Sequence, residues 1–364
     1  MAKVILISQF PLPYSKIGSW TTLYQNYLEC KHSIDYIICE QPETRFPNIH
    51  YEIVGQTLTL KLKKKYHKNN YIGYLEALEK ILATGEKHII QVVDNFGIIK
   101  PLQEFLTSKG LKNRCYIQFF YHGFAPFYGN LDSRNFYEFI DEMVLLTYDS
   151  YKAHKEYYTI LPCRFSVLHN GIDTDKFYKI TPEKKKALRE KLGFTSEKIF
   201  IWCSQDRPKK GLDLVLDVWN RIQEKHDNCT LLVIGTNRKE TIKGVVFLGK
   251  IPNSELPDYY QAADAYLFPT LWHEGFGLSL IEALHCGCYC IASALGGVPE
   301  VLQHGKLGRL IENPHFISEW IEAIEEFLSE SSSYPSIPKE LYSKETWSQG
   351  MEERIFDAKK SLER

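Results

Sequence analysis

The chain has 364 residues, 44% of them hydrophobic and 24% charged, with a formal net charge of −1. This is the composition of a soluble globular protein too long for one ordinary core and suited to two domains. The near-neutral balance argues against a nucleic-acid binder working by bulk electrostatics, and no apolar run is long enough to span a bilayer.

The opening MAKVILISQF turns polar at Ser8, which makes its apolar run too short for a secretory signal. VILISQF reads as the first strand, followed by DYIICE, HIIQVVDN, CYIQFFYHG and MVLLTYD. TLTLKLKKKYHK (57–68) alternates Leu58, Leu60 and Leu62 with Thr59, Lys61 and Lys63, a further strand pattern. Its lysines would protect a sheet edge, and the alternative is a surface that meets anionic lipid. VLHNGIDTDKF (167–177) contains the turn signal Asn170-Gly171 and marks the domain junction. The charged helix TPEKKKALREKLGF follows, and then the strands IFIWCSQD, CTLLVIGT, VVFLGKI, DAYLFPT and CYCIAS. Between strands lie helical periods. Leu212, Val215, Leu216, Trp219 and Ile222 share one face, as do Ile317, Trp320, Ile321, Ile324 and Leu328. Such alternation predicts parallel sheets with helices on both faces. SSSYPSIPKE breaks the pattern before a last helix from about Lys344 to Leu362. The expected domains are 1–168 and 169–343, with helix 344–364 crossing back onto the first.

Nine cysteines lie scattered without a C-x-x-C pair, and Cys286, Cys288 and Cys290 alternate. They read as structural thiols in a reducing cytoplasm. Asp173-Thr174-Asp175 has the form of a metal-binding D-x-D but lies in the interdomain stretch, so no metal site is expected there.

The chemistry concentrates in HEGFGLSLIEALHCG (273–287). Gly275-Phe276-Gly277 stands between the strand DAYLFPT and a helix, where open α/β sheets place helix N-termini against anions. As a fingerprint it lacks a third glycine, and VILISQF is followed by none, which disfavours a nicotinamide dehydrogenase. On one continuous helix Glu274 and Glu282 would be roughly 12 Å apart, too far for a glycosidase pair at about 5–9.5 Å. They would hold hydroxyls at two points of an elongated ligand. In isolation, Glu274 equally reads as an acid favoured by the helix dipole and Glu282 as a solvated helix residue.

The Glu-x₇-Glu frame continues into GGVPEVL, and NGIDTDKF, KKGLDLVLDVW, LLVIGT, FLGKIPNSELPDYYQAADAYLFPT and HGKLGRLIENP accompany it. With these motifs the chain resembles glycosyltransferase family 4. The resemblance implies an α/β GT-B fold, two Rossmann-like domains with parallel sheets facing across a cleft. It also implies retaining transfer of a sugar from a nucleotide diphosphate sugar to a hydroxyl of a glycan or glycolipid, in polysaccharide or glycoconjugate biosynthesis. UDP-sugar is the first expectation for the donor and GDP-sugar the second. No cofactor or metal is expected, and the protein is expected to be cytoplasmic or peripheral at the inner membrane face through lysines of 61–68.

By the same resemblance Glu282 binds the nucleotide ribose, Glu274 the transferred sugar, and the backbone of Phe276, Gly277 and Leu278 the diphosphate. Lys210 neutralises the leaving diphosphate. The family arginine five or six residues earlier is absent, since Ser204 and Gln205 stand there. Arg207 is either its substitute from a shifted loop or a surface residue. The family's Gly-Gly phosphate loop reads Gly18-Ser19-Trp20, which alters the acceptor side. His122 matches a histidine near the transferred sugar, and Asp94 is an acceptor-side candidate. The competing readings are a nucleotide-sugar epimerase of the same architecture and a non-catalytic nucleotide-sugar binder.

Overall fold

The structure is a computed structural model that describes residues 2–14, 20–129, 133–329 and 336–363. The chain divides into two compact units, Met1–His169 with Lys344–Arg364, and Asn170–Ser343.

The first unit is built on seven strands, β1 (Lys3–Ile7), β2 (Tyr36–Cys39), β3 (His50–Ile53), β4 (His88–Val93), β5 (Cys115–Tyr121), β6 (Glu142–Leu145) and β7 (Arg164–Val167). All pair in parallel, in the order β3-β2-β1-β4-β5-β6-β7. Helices cover both faces, so the central strands are buried on both sides and read as near-continuous apolar runs. The helix Lys344–Glu363 belongs to this unit, inserting Trp347, Met351, Ile355 and Ala358 among Val4, Leu6, Ile89 and Phe120. A buried polar chain registers that helix. Gln91 donates to Gln118 at 3.0 Å, while Gln118 donates to Glu142 at 2.8 Å and to the carbonyl of Arg354 at 3.2 Å. Every step is paired, so the low dielectric around it strengthens the chain and does not penalise it.

The stretch 57–68 is not a strand. Thr57 caps a helix, Leu58–Tyr66, its side chain accepting from the amide of Leu60 at 3.2 Å. Leucine and lysine favour a helix, and a threonine ahead of them supplies the cap. The edge of the sheet is β3 itself, so these lysines do not guard it.

The second unit holds β8 (Lys198–Cys203), β9 (Cys229–Ile234), β10 (Val245–Gly249), β11 (Ala265–Phe268), β12 (Tyr289–Ser293) and β13 (Gly308–Ile311). They too are all parallel, in the order β10-β9-β8-β11-β12-β13. The amphipathic helix Leu212–Lys225 buries the predicted face, and Ile317–Ser329 packs beside it in the same core. Strand order reverses between β8 and β11, and in the first unit between β1 and β4. In open α/β sheets ligands bind in the crevice outside those carboxyl ends.

Candidate active site

In the second unit the loops leaving β8 and β11 are tied together. Pro208–Lys210 forms a single tight turn, and Leu271 donates to the carbonyl of Lys209 at 2.8 Å. The indole of Trp202 donates to the carbonyl of Lys210 at 3.1 Å. Gly211, at φ +69°, permits the approach, since a Cβ there would lie 2.1 Å from the carbonyl oxygen of Pro269. The lysine is therefore held by its backbone at the reversal of strand order, with its side chain left to reach a ligand.

Its side chain meets Glu274. The ammonium lies 2.5 Å from Glu274 Oε2, with both groups partly buried. Glu274 is set from behind by the loop after β12: it bridges Gly296, and Gly297 donates to its carbonyl at 2.8 Å. Gly296, at φ +69°, is needed here, because a Cβ would fall 2.3 Å from the carbonyl oxygen of Glu274 and 2.6 Å from its nitrogen. This is the physical role of the two glycines of the GGVPE motif. A cation and a carboxylate that bind each other can each turn to a ligand carrying both an anion and hydroxyls.

Glu274 itself lies on the loop, because the helix begins only at Leu278 and runs to His285. The one-helix measure of its separation from Glu282 therefore does not apply. Phe276 is buried, edge-on to Tyr342 with ring centroids 5.2 Å apart, and Gly277 precedes the helix at φ +91°. The first amides of the helix have no carbonyl partner within it and carry the positive end of its dipole. Tyr266 fixes this end, its hydroxyl 2.9 Å from Ser279 Oγ and donating to the carbonyl of Cys203 at 3.1 Å. One turn on, Glu282 is partly buried, and desolvation pushes its carboxyl up to about 8, opposed only by Lys176.

Arg207 opens the turn before Lys210 with an exposed side chain and no carboxylate partner among the described residues. The arginine that shapes this loop is Arg238, which sequence reasoning missed. It grips Asp206 with Nε at 2.7 Å and Nη2 at 2.9 Å, and Asp213 with Nη1 at 2.5 Å. Its partners stand 32 and 25 positions away, a distance no local spacing reveals. The D-x-D is used in folding: Asp173 accepts the amide of Asp175 at 3.1 Å, and Asp175 pairs with Lys339 at 2.5 Å. The nine cysteines are all free thiols, most of them buried.

In the first unit Asp94 and His122 follow the neighbouring strands β4 and β5, and they meet. The His122 amide donates to Asp94 Oδ1 at 2.7 Å. Its ring Nδ1 lies 3.2 Å from Oδ2 without hydrogen-bond alignment. Asp94 takes a left-handed φ of +50°, a strain more typical of ligand sites than of cores. Gly18 and Ser19 lie outside the described residues.

The family model for glycosyl transferases group 1 matches residues 184–343. A GDP-mannose-dependent monoacylated alpha-(1-6)-phosphatidylinositol monomannoside mannosyltransferase of Corynebacterium glutamicum is 32% identical over 154 residues, 38% of this chain and 40% of its own length. A D-inositol 3-phosphate glycosyltransferase of Mycobacterium bovis is 27% identical over 205 residues, 52% of this chain and 41% of its own. The chain thus spans about two fifths of these relatives. Among solved structures, a sucrose-phosphate synthase from Thermosynechococcus elongatus superposes with a TM-score of 0.72 at 16% identity, covering 98% of this chain and 100% of that one. Anabaena Alr3699/HepE in complex with UDP and glucose gives 0.69 at 17% identity, with coverage of 98% and 100%. At such identities the two structures speak for the fold alone.

Proposed function

We propose that this chain, which has a GT-B fold and matches the glycosyl transferases group 1 model over residues 184–343, moves a sugar, with retention of configuration, from a nucleoside diphosphate sugar to an acceptor hydroxyl. The observation that carries this reading is the Lys210–Glu274 pair at the strand-order reversal, ahead of an open helix N-terminus. A donor's diphosphate would take Lys210 and the helix amides, releasing Glu274 to accept from the sugar hydroxyls. A charge-assisted contact to phosphate contributes about 1.5–3 kcal/mol, and more as leaving-group charge develops. Glu282 would receive the ribose hydroxyls.

In the reaction the bond from the anomeric carbon to the phosphate oxygen breaks, and the bond to the acceptor oxygen forms on the same face. The acceptor proton passes to the departing phosphate oxygen. No side-chain base is required, and the protein contributes positioning and charge. His122 is assigned to the transferred sugar, with Asp94 holding it.

The acceptor is proposed to be a glycolipid or glycan hydroxyl, because both curated relatives are named for inositol-containing acceptors. UDP-sugar, the first expectation from sequence, now stands beside GDP-mannose, for which a relative 32% identical is named. Thermal shift across GDP-mannose and UDP-sugars identifies the donor, and nucleoside diphosphate release is then followed with and without a phosphatidylinositol glycolipid. Acceptor-dependent release is expected. Sugar interconversion without an acceptor would instead make the protein an epimerase.

A further inference from the structure

The helix Leu58–Tyr66 is packed the wrong way round for a surface helix of a globular domain. Leu60 is its one buried residue, at 8% exposure, while Leu58, Leu62 and Tyr66 are 79%, 68% and 84% exposed. At 100° per residue these three form a single outward stripe, with Leu60 on the opposite face. Lys61 and Lys65 border the stripe on one side, Thr59 and Lys63 on the other. Lys63 is held by Glu76 at 2.6 Å. Among the described residues Lys61, Lys64, Lys65 and Lys68 have no carboxylate within ion-pair distance.

We propose that this helix is a docking surface for an anionic phospholipid bilayer. Three large apolar side chains inserted at the acyl boundary, with lysines spread toward the headgroups, match the chemistry of an interfacial helix. A second copy of the chain is a poor occupant, since a self-complementary contact would set these lysines against their own images. The helix follows β3, at the same carboxyl edge of the sheet from which Asp94 and His122 rise. Tyr71, just beyond it, donates to Asn95 Oδ1 at 3.0 Å, beside Asp94. The docking surface is thus joined to the loop bearing the acceptor-side residues. It gives access to an acceptor whose hydroxyl stands at a membrane surface, and the inference holds whichever nucleotide is the donor.

Vesicle flotation tests this with the full chain, using phosphatidylcholine vesicles with and without phosphatidylglycerol. Binding is expected only with phosphatidylglycerol and should fall as salt is raised. Lys61→Gln with Lys65→Gln should weaken it roughly 30-fold, the effect of two surface lysines. Leu58→Ser with Leu62→Ser and Tyr66→Ser should weaken it by more than about 100-fold. Nucleotide affinity and melting temperature should not change in either variant, because the replaced side chains face solvent. Absence of vesicle binding, or binding that is indifferent to phosphatidylglycerol and to the lysines, overturns the proposal. Self-association abolished by the apolar triple variant, without vesicle binding, assigns the stripe to a second copy and overturns it as well.

Discussion

Gly296→Ala is expected to abolish the proposed sugar transfer while sparing nucleotide affinity. The new methyl would stand 2.3 Å from the carbonyl oxygen of Glu274 and 2.6 Å from its nitrogen, both backbone atoms that cannot rotate aside. Restoring ordinary contact displaces one loop from the other by about 1 Å, a misplacement that costs about 100-fold in rate at a reacting centre. The left-handed φ of +69° adds roughly 1–2 kcal/mol against a non-glycine residue. Gly193→Ala separates the two effects. That glycine caps a helix of the same unit at φ +75° with nothing within 4 Å of its added carbon. It should lose comparable stability and keep its rate. The assays are steady-state kinetics, calorimetry with nucleoside diphosphate, and thermal melts of both variants. The expected signature for Gly296→Ala is a kcat down about 100-fold with nucleotide Kd within about twofold of the parent, since Glu274 is assigned to the sugar and not the nucleotide. A parental kcat in Gly296→Ala, or an equal loss in Gly193→Ala, would refute the claim that this glycine positions Glu274.

Lys210→Ala should lower kcat by about 100-fold or more, corresponding to about 2.7 kcal/mol of leaving-group stabilisation, and Arg207→Ala clearly less; steady-state rates decide, and a Lys210→Ala enzyme with near-parental turnover overturns the assignment. Glu282 gives a pH dependence of definite sign. Its carboxyl is raised from 4.5 to about 8, so this group costs the protein stability as pH rises between those values. Ribose hydroxyls donate best to the ionised form, so nucleotide affinity should tighten from pH 6 to 8 and level off above, by at most about tenfold per unit. Calorimetry on Glu282→Gln, which should lose that slope, removes the contribution of the nucleotide's own phosphate ionisation. Activity should survive a chelator, because Lys210 and the helix amides are assigned to the diphosphate; full loss in EDTA with recovery on magnesium would count against it.

Strands were legible in the sequence to the extent that they were covered. Most of those recognised are buried on both faces, where the apolar run is continuous. The three that escaped, HYEI, RFSV and GRLI, became β3, β7 and β13, and all three are sheet edges. An edge strand carries charged and half-exposed residues, and four of them are too few to establish a period of two. In the site, Glu274, Glu282 and Lys210 stood out through motif and resemblance, but what sets them did not. The Gly296 approach to Glu274, the Arg238 grip on Asp206 and the Asp94–His122 contact each join residues 22 to 32 positions apart. Such pairs are created by parallel strands delivering their loops to one edge, a property of the sheet order.

The error at 57–68 has a different origin. Leu58, Leu60 and Leu62 alternate, as a strand requires, but Leu58, Leu62 and Tyr66 also fall four residues apart, as a helical stripe requires. Both periods fit a nine-residue segment, and the deciding signals were the Thr57 cap and the helix preference of leucine and lysine. The two readings also differ in what they do with the lysines. On a strand they would alternate onto one face and shield it from other strands. On the helix they border an apolar stripe that the protein leaves uncovered, so the same residues that would repel another edge become those that attract an anionic surface.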